Sequence, residues 1–328
     1  MVREIAGRRF SLIALCALAA GIGAVARAQT SYPVRPVTLV VPLQAGTASD
    51  LVARVLAEQV AQRLGQPFVV ENVVGAGGQV GAQRVVRAKP DGYVLGAFNN
   101  GVHAILPFAN ASLPFDPMKD LVAITLLAKL PSVLIVNPGS PAKTLQAFVE
   151  LARQSPGKLT YASVGVGSPQ HLAMEQLKAD AGFEALHVPY RGGAQATLAV
   201  SANEVNAFWI ATSVALPFIR DGRVRAVAVG GRARTATLPE VPTVIEAGVP
   251  NYEYVPWLAL FAPSGTPAPV LELLRQAFAE VLGQPEMKGR LASHGLDAES
   301  SSGDALTALI VAERARTAPL IRRIGLAQ

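Results

Sequence analysis

The chain has 328 residues, of which 51% are hydrophobic and 16% charged, with one cysteine. That composition excludes a disordered or collagen-like chain, and the length suits two domains of ordinary size. The formal charge is +6; of 29 basic and 23 acidic residues, removing Arg3, Arg8, Arg9, Arg27 and Glu4 at the N-terminus leaves 25 and 22, a balance of +3. The remaining basic residues are scattered, with no basic run interleaved with aromatics, so no nucleic acid partner is expected.

Arg3, Arg8 and Arg9 precede an apolar run over residues 10–25, and Ala26-Arg27-Ala28 fits a small-residue cleavage site before Gln29. Residues 1–28 therefore read as a secretory signal. An uncleaved anchor is the alternative, against which stand the shortness of the run and the cleavage site. Arg8-Arg9 leaves twin-arginine export open beside the general route. Cys16 lies inside the apolar run, so the mature chain is expected to carry no thiol, no disulfide and no cysteine metal site. No later segment has the ~18 uninterrupted apolar residues of a spanning helix.

The mature chain alternates strand and helix, the pattern of a doubly wound α/β protein. Residues 37–42 read as a near-continuous apolar strand, as in a sheet covered on both faces. Residues 43–48 form a loop, and Ser49-Asp50 is read as the cap of a helix over 51–64. A second strand, 68–71, leads to a glycine cluster and a helix ending near residue 88. Pro90-Asp91-Gly92-Tyr93 turns into a strand over 94–98, and residues 107–117 look irregular. Strands are expected at 121–128 and 132–137, and a helix at 144–154. Further strands end at Tyr190 and span 205–210, 224–229 and 255–262. Helices follow at 194–201, 213–220, 267–282, 286–294 and 304–328.

Residues 159–177 carry the clearest local signal. A short strand runs into Ser163-Val164-Gly165-Val166-Gly167, a loop small enough for backbone to approach a ligand. Ser168 is a good N-cap and Pro169 suits the first helical position. Such a turn leaves N–H groups unpaired at the positive end of a helix dipole, an anion site that needs no Lys or Arg. The segment from 37 to 65 repeats the plan. Two such units, one in each half, point to two jaws closing on one small anion.

Other motifs are weaker. Gly75 and Gly77 begin a dinucleotide fingerprint, but the third position is Val80, with Gly81 one late, so no such cofactor is expected. No two of His103, His171, His187 and His294 stand at metal-ligand spacing, so no metal is expected. His171 falls in the first helical turn, where capping or packing competes with ligand contact. A hydrolase would use Ser163 or Ser168 with a histidine, yet G-x-S-x-G is absent and an N-cap serine needs no further reason to be there. Tyr190 beside Arg191-Gly192-Gly193 opens another helix. Arg191 has two readings, a ligand carboxylate or a neighbouring acidic residue.

Several motifs together resemble the Bug-type solute receptors of tripartite tricarboxylate transporters. They include Tyr32-Pro33-Val34-Arg35-Pro36-Val37, Val70-Glu71-Asn72 with Gly75-Ala76-Gly77-Gly78, and Ala88-Lys89-Pro90-Asp91-Gly92-Tyr93. Phe115-Asp116-Pro117, Leu159-Thr160-Tyr161-Ala162-Ser163, His187-Val188-Pro189-Tyr190-Arg191-Gly192-Gly193 and Leu238-Pro239-Glu240-Val241-Pro242-Thr243 continue the series in order. The resemblance implies a type II-like periplasmic clamshell, each lobe a doubly wound mixed sheet flanked by helices. One lobe would hold residues 29–123 and 255–328, the other 124–254. It implies a non-catalytic, periplasmic receptor for a small organic anion, a carboxylate or dicarboxylate; the lack of an acidic surface code or an oligomerisation heptad leaves a monomer as the expectation. Transporter subunits or a sensor protein would read its closed form.

This chain departs from the family pattern in places. Its first loop, Ala45-Gly46-Thr47-Ala48-Ser49-Asp50, has Thr47 where glycine is usual, which should narrow the pocket or change the ligand. Asn206 stands where aspartate is usual and, if it faces the cleft, favours a more anionic or amide-accepting ligand. The expected ligand-binding residues are Ala45, Thr47 and Ser49 from one lobe, and Ser163, Gly165, Gly167 and Ser168 from the other, with Tyr190 and Asn206 behind them. A serine hydrolase using Ser168 is the rival from another class.

Overall fold

A computed structural model of the chain describes residues 32–326. The expected signal, residues 1–28, lies outside them. Apolar runs make two sheets, and the chain visits them in the order first, second, first. β1 (Val37–Val41), β2 (Phe68–Asn72), β3 (Val94–Asn99) and β4 (Leu121–Lys129) come first. β5 (Ser132–Val136), β6 (Thr160–Ser163), β7 (Leu186–Pro189), β8 (Ala207–Ala211) and β9 (Arg225–Val229) build the second sheet. β10 (Trp257–Pro263) and β11 (Asp297–Ala298) return to the first.

The first sheet has the order β11-β4-β10-β3-β1-β2, and the second β7-β6-β8-β5-β9. Both are mixed. β1 is parallel to β2 and β3, whereas β10 runs antiparallel between β3 and β4. β6 is parallel to β7 and β8, and β5 is antiparallel to β8 and β9. All of β5 and β10 is buried, as expected of strands covered on both faces. The change of lobe expected after residue 123 falls inside β4, which pairs with β10 through Lys129.

Helices cover the faces. α1 (Ala48–Leu64) ends at Gly65, whose φ of +70° is the left-handed stop that glycine accepts without strain. α2 (Gln79–Val86) follows a 3-10 turn over Ala76–Gly78. A π-helical turn, Gly101–Ile105, runs into the short α3 (Leu106–Ala109), so the stretch 107–117 that was expected to be irregular begins inside a helical turn. Pro107 has no N–H to offer the His103 carbonyl four residues back; Arg314 donates to that carbonyl instead, at 2.7 Å. α4 (Leu145–Gln154), α5 (Pro169–Ala181), α6 (Gly193–Ser201) and α7 (Thr212–Arg220) flank the second sheet. α8 (Ala268–Gly283), α9 (Pro285–Ala292) and α10 (Gly303–Arg323) close the chain.

Three buried clusters among the described residues bear on the site. Val40, Phe98, Trp257 and Phe261 centre the core on one face of the first sheet. Leu134, Tyr161, Trp209 and Tyr252 fill one face of the second, and Ile135, Phe208 and Ile210 the other. α10 belongs to both halves: Leu306 and Ile310 pack in the first core, Leu320 and Ile321 in the second. At its middle, the buried Glu313 carboxylate accepts from Asn100 Nδ2 at 2.6 Å and Trp257 Nε1 at 2.5 Å. No helix among the described residues is long and apolar enough to cross a membrane.

Candidate binding cleft

The carboxyl ends of the parallel strands place the loops. In the first sheet, β1 runs into residues 42–47 and β3 into Asn100. In the second, β6 runs into residues 164–168, β7 into residues 190–192 and β8 into Thr212. Both crossovers between the sheets leave from these same ends, at Leu130-Pro131 and at Val255-Pro256, where Leu130 N–H donates to Pro256 O at 2.7 Å. Ligands of open α/β sheets lie outside such ends.

The first loop is tied from below. Thr47, not Ser49, is the N-cap of α1: its Oγ1 accepts from Asp50 N–H at 3.4 Å and donates to Gln44 O at 3.0 Å. The cap expected at Ser49-Asp50 is thus corrected, and Ser49 lies buried within the first turn. Asp50 reaches back to accept from Gly46 N–H at 3.0 Å, and its other oxygen from Asn72 Nδ2 at 2.9 Å. Burial works to raise the Asp50 pKa, but bonds from Arg54, Gly46 and Asn72 outweigh it and hold the carboxyl below its ordinary value. Gly46, at φ +82°, has open space where a side chain would stand. Thr47 therefore spends its hydroxyl on the loop itself. Thr47→Ala is expected to cost about 1 kcal/mol of stability in a denaturant titration, as lost N-caps do.

The second loop rests on a stack of rings. Gly165 (φ +128°) and Gly167 (φ +75°) both face open space. Ser163 is fully buried beneath them, and its Oγ accepts from Gly165 N–H at 3.0 Å and contacts His187 Nε2 at 2.5 Å. His171 Nδ1 accepts from Gly167 N–H at 3.1 Å. The His171 and His187 rings stack at 4.1 Å, and Tyr161 stacks on His187 at 5.1 Å. Tyr161 hydroxyl bonds to Glu175, which also pairs with Lys178. Burial pushes the His171 imidazole down to about 4, with His187 adding to the fall, and burial lowers His187 as well. Neutral rings are what the loop needs, since a protonated Nδ1 cannot accept from Gly167. His171 is thus a prop of the loop as well as a packed ring.

Ser168 caps α5 as expected, accepting from His171 N–H at 3.3 Å, with Pro169 in the first turn. The loops of the two halves approach each other: a Cβ on Gly192 would stand 3.7 Å from Gln44 Oε1. Ala45 and Thr47 thus lie on one rim, with Ser49 buried in the helix turn behind it, and Gly165, Gly167 and Ser168 on the other, with Ser163 buried beneath; the ligand contact expected of the two buried serines is corrected to support of the loops. Tyr190 donates its backbone N–H to Ser163 O at 2.8 Å, but its side chain lines a recess of about 360 Å³ along α6 with Leu198, Glu204 and Arg223.

Asn206 is not with them. It precedes β8, at the end of the sheet opposite the loops, and its Oδ1 accepts from Thr160 N–H at 2.8 Å and Thr160 Oγ1 at 3.1 Å. The amide ties two strand starts together. Asn206→Ala is expected to lower stability by about 1 kcal/mol and to leave ligand affinity within about twofold, because distant sites act independently; calorimetric titration beside thermal unfolding checks both.

Other residues at these edges escaped the sequence reading. Buried side-chain oxygens of Asn100, Gln170, Thr212 and Ser213 have no hydrogen-bond partner within the protein. Asn100 follows β3, Gln170 lies in the first turn of α5, and Thr212 and Ser213 open α7. The available signal was Ala211-Thr212-Ser213, small and hydroxylated residues where a strand passes into a helix. Among the described residues, no three His, Cys, Asp or Glu side chains gather as metal ligands. The Ser163–His187 contact has the composition of a catalytic dyad, but the hydroxyl is sealed under its own loop.

Comparisons with known proteins bear on the family and the fold. A family model described as a tripartite tricarboxylate transporter family receptor matches residues 52–326. A UPF0065 protein of Bordetella pertussis (strain Tohama I) is 36% identical over 319 residues, 97% of each chain. A Rhodopseudomonas palustris protein, Rpa4515, solved with adipate, superposes with a TM-score of 0.85 at 31% identity, covering 90% of this chain and 99% of that one. MatC of the same organism, solved with malate, gives 0.81 at 32% identity over 88% of this chain and 100% of its own.

Proposed function

This chain belongs to the tripartite tricarboxylate transporter receptor family, a family of solute receptors and not of enzymes, and from that membership we propose that it captures a small dicarboxylate between its two sheets. The observation that carries the reading is the pair of glycine loops, at residues 45–47 and 164–168, at the crossover ends of both sheets. Gly46, Gly165 and Gly167 present backbone with open space beside them. Helix N-termini stand behind both loops, so a carboxylate entering this space meets positive dipole ends and the loop N–H groups left over by the glycines' own bonds to Asp50, Ser163 and His171, with no cation needed. The acids held by the two Rhodopseudomonas proteins support a ligand of four to six carbons. Bridging waters would let the receptor release its cargo as readily as it takes it up.

In this reading one lobe comprises the first sheet with α1, α2, α8 and α9, and the other the second sheet with α4 to α7. The hinge is the pair of crossovers, and α10 spans both lobes. Closure by rotation about that hinge would present the loaded form to transporter subunits in the membrane. The receptor would act as a monomer in the periplasm, exported by a signal removed after Ala28.

Thermal unfolding against a panel of acids tests the reading. The panel holds C4–C8 dicarboxylates, citrate, aromatic acids, and the amides and neutral analogues of each. A ligand at about 100-fold its Kd adds about 2.7 kcal/mol. The expected result is stabilisation by dicarboxylates and none by their neutral analogues. A sample stripped of copurified acid by unfolding and refolding, and then stabilised by no acid, would overturn the reading.

A further inference from the structure

We infer that Thr212 and Ser213, at the start of α7, form a second polar subsite of the cleft that receives the far carboxylate of a dicarboxylate whose near carboxylate lies on the glycine loops. The inference rests on the reading that the cleft takes an organic acid. It adds the residues that make the receptor prefer two carboxylates to one.

The fold brings α7 to the right place. β8 is the parallel neighbour of β6, so the two strands deliver Thr212 and Ser163 to the same edge of the sheet, with neighbouring strands about 4.8 Å apart. The carboxyl end of β8 is held there by Thr212 N–H, which donates to Pro131 O at 2.8 Å.

The chemistry of this turn is that of an acceptor's site. α7 is a nine-residue helix whose N-cap is Ala211, with no side-chain cap bond. Thr212 is wholly buried, yet its Oγ1 has no partner, and neither has the buried Oγ of Ser213. Side chains of a first helical turn lean back past the N-terminus, so these hydroxyls stand at the positive end of the dipole. Buried hydroxyls without partners are costly and call for an explanation. Two O–H donors beside helical N–H groups suit a carboxylate, and the positive dipole end disfavours a cation.

The first lobe lies against the same turn. Gly295, between α9 and β11, has a φ of +71°, and a Cβ there would stand 3.2 Å from Thr212 Cγ2 and 3.4 Å from Ser213 N. Bare backbone at Gly295 lets this turn settle on the start of α7. A carboxylate on Thr212 and Ser213 would therefore have the Gly295 turn beside it.

Calorimetric titration of the wild-type chain and of Thr212→Val/Ser213→Ala tests this with two matched pairs, adipate with hexanoate and malate with 3-hydroxybutyrate. Each pair differs by one carboxylate. The expected result is that wild type prefers the diacid in at least one pair. The variant should lose about 10–100-fold in affinity for that diacid, the value of hydrogen bonds to a charged group, with the monoacid unaffected. The Tm of the unliganded variant should stay level or rise, because unpaired buried hydroxyls have been removed. Unchanged diacid affinity overturns the inference and leaves the cleft reading standing. So does an equal loss for diacid and monoacid, or a fall in the unliganded Tm. Failure of wild type to bind either diacid overturns both.

Discussion

Replacing Gly165 with alanine is expected to weaken binding of the best acid in the panel by roughly 10–100-fold while leaving the fold intact. The reason is backbone strain without a clash. A Cβ at residue 165 meets nothing within 4 Å, but the φ of +128° is one that residues with a side chain rarely adopt. Holding alanine there costs on the order of 1–3 kcal/mol, and the loop will relax to avoid it. Three bonds break when it does. Gly165 N–H donates to Ser163 Oγ, and its carbonyl accepts from Ser163 Oγ and from Ser168 N–H. The donors then no longer converge. Titration calorimetry reads the affinity, and unfolding of the unliganded variant reads the fold. Affinity held within about twofold would remove this loop from the site, since misdirected hydrogen bonds to a charge cost more than that.

Acid is expected to destabilise the protein from about pH 6.5 downward, through His171 and His103 together, and the His171 part is the one that bears on the loop. The folded pKa of His171 is near 4, below the 6.5 of the unfolded chain. Between those values the unfolded state binds more protons, so stability is complete above pH 6.5 and is lost as pH falls toward 4. The interval is worth on the order of 3 kcal/mol. His103, buried and lowered to about 3, and His187, lowered by burial, act in the same direction. Glu313 and Asp297, raised by burial, act in the opposite one. Comparison with His171→Gln isolates the His171 contribution, because His103 and the other groups remain. Urea titrations at pH 7.0 and 5.0 should show a smaller loss in the variant. Equal losses would mean that the Gly167 N–H bond is not held by a neutral imidazole.

The sequence made the two strand–loop–helix units legible because each element had its own local signal. Apolar runs marked β1 and β6, glycines among small residues marked the loops, and Ser168-Pro169 marked a helix start. The resemblance to solute receptors, read from motifs spread along the chain, is borne out by the family match. Where local signals competed, the reading slipped. Thr47 and Ser49 are both good caps, and the choice between them depends on Asp50 reaching back to Gly46. Asn206 sits near a strand, but periodicity reports faces of a sheet and not its ends. The turn at residues 101–105 depends on Arg314, more than two hundred residues away, replacing the bond that Pro107 cannot make. Thr212 and Ser213 carried a signal like that of Ser168 but lacked its glycines.

A structure of the chain bound to the dicarboxylate that stabilises it most tests the central claim directly. The account predicts one carboxylate within hydrogen-bond distance of backbone N–H groups from both residues 45–47 and residues 164–168, with the two lobes closed over it. An acid seated instead in the recess between Tyr190 and Arg223, with both glycine loops untouched, would contradict it.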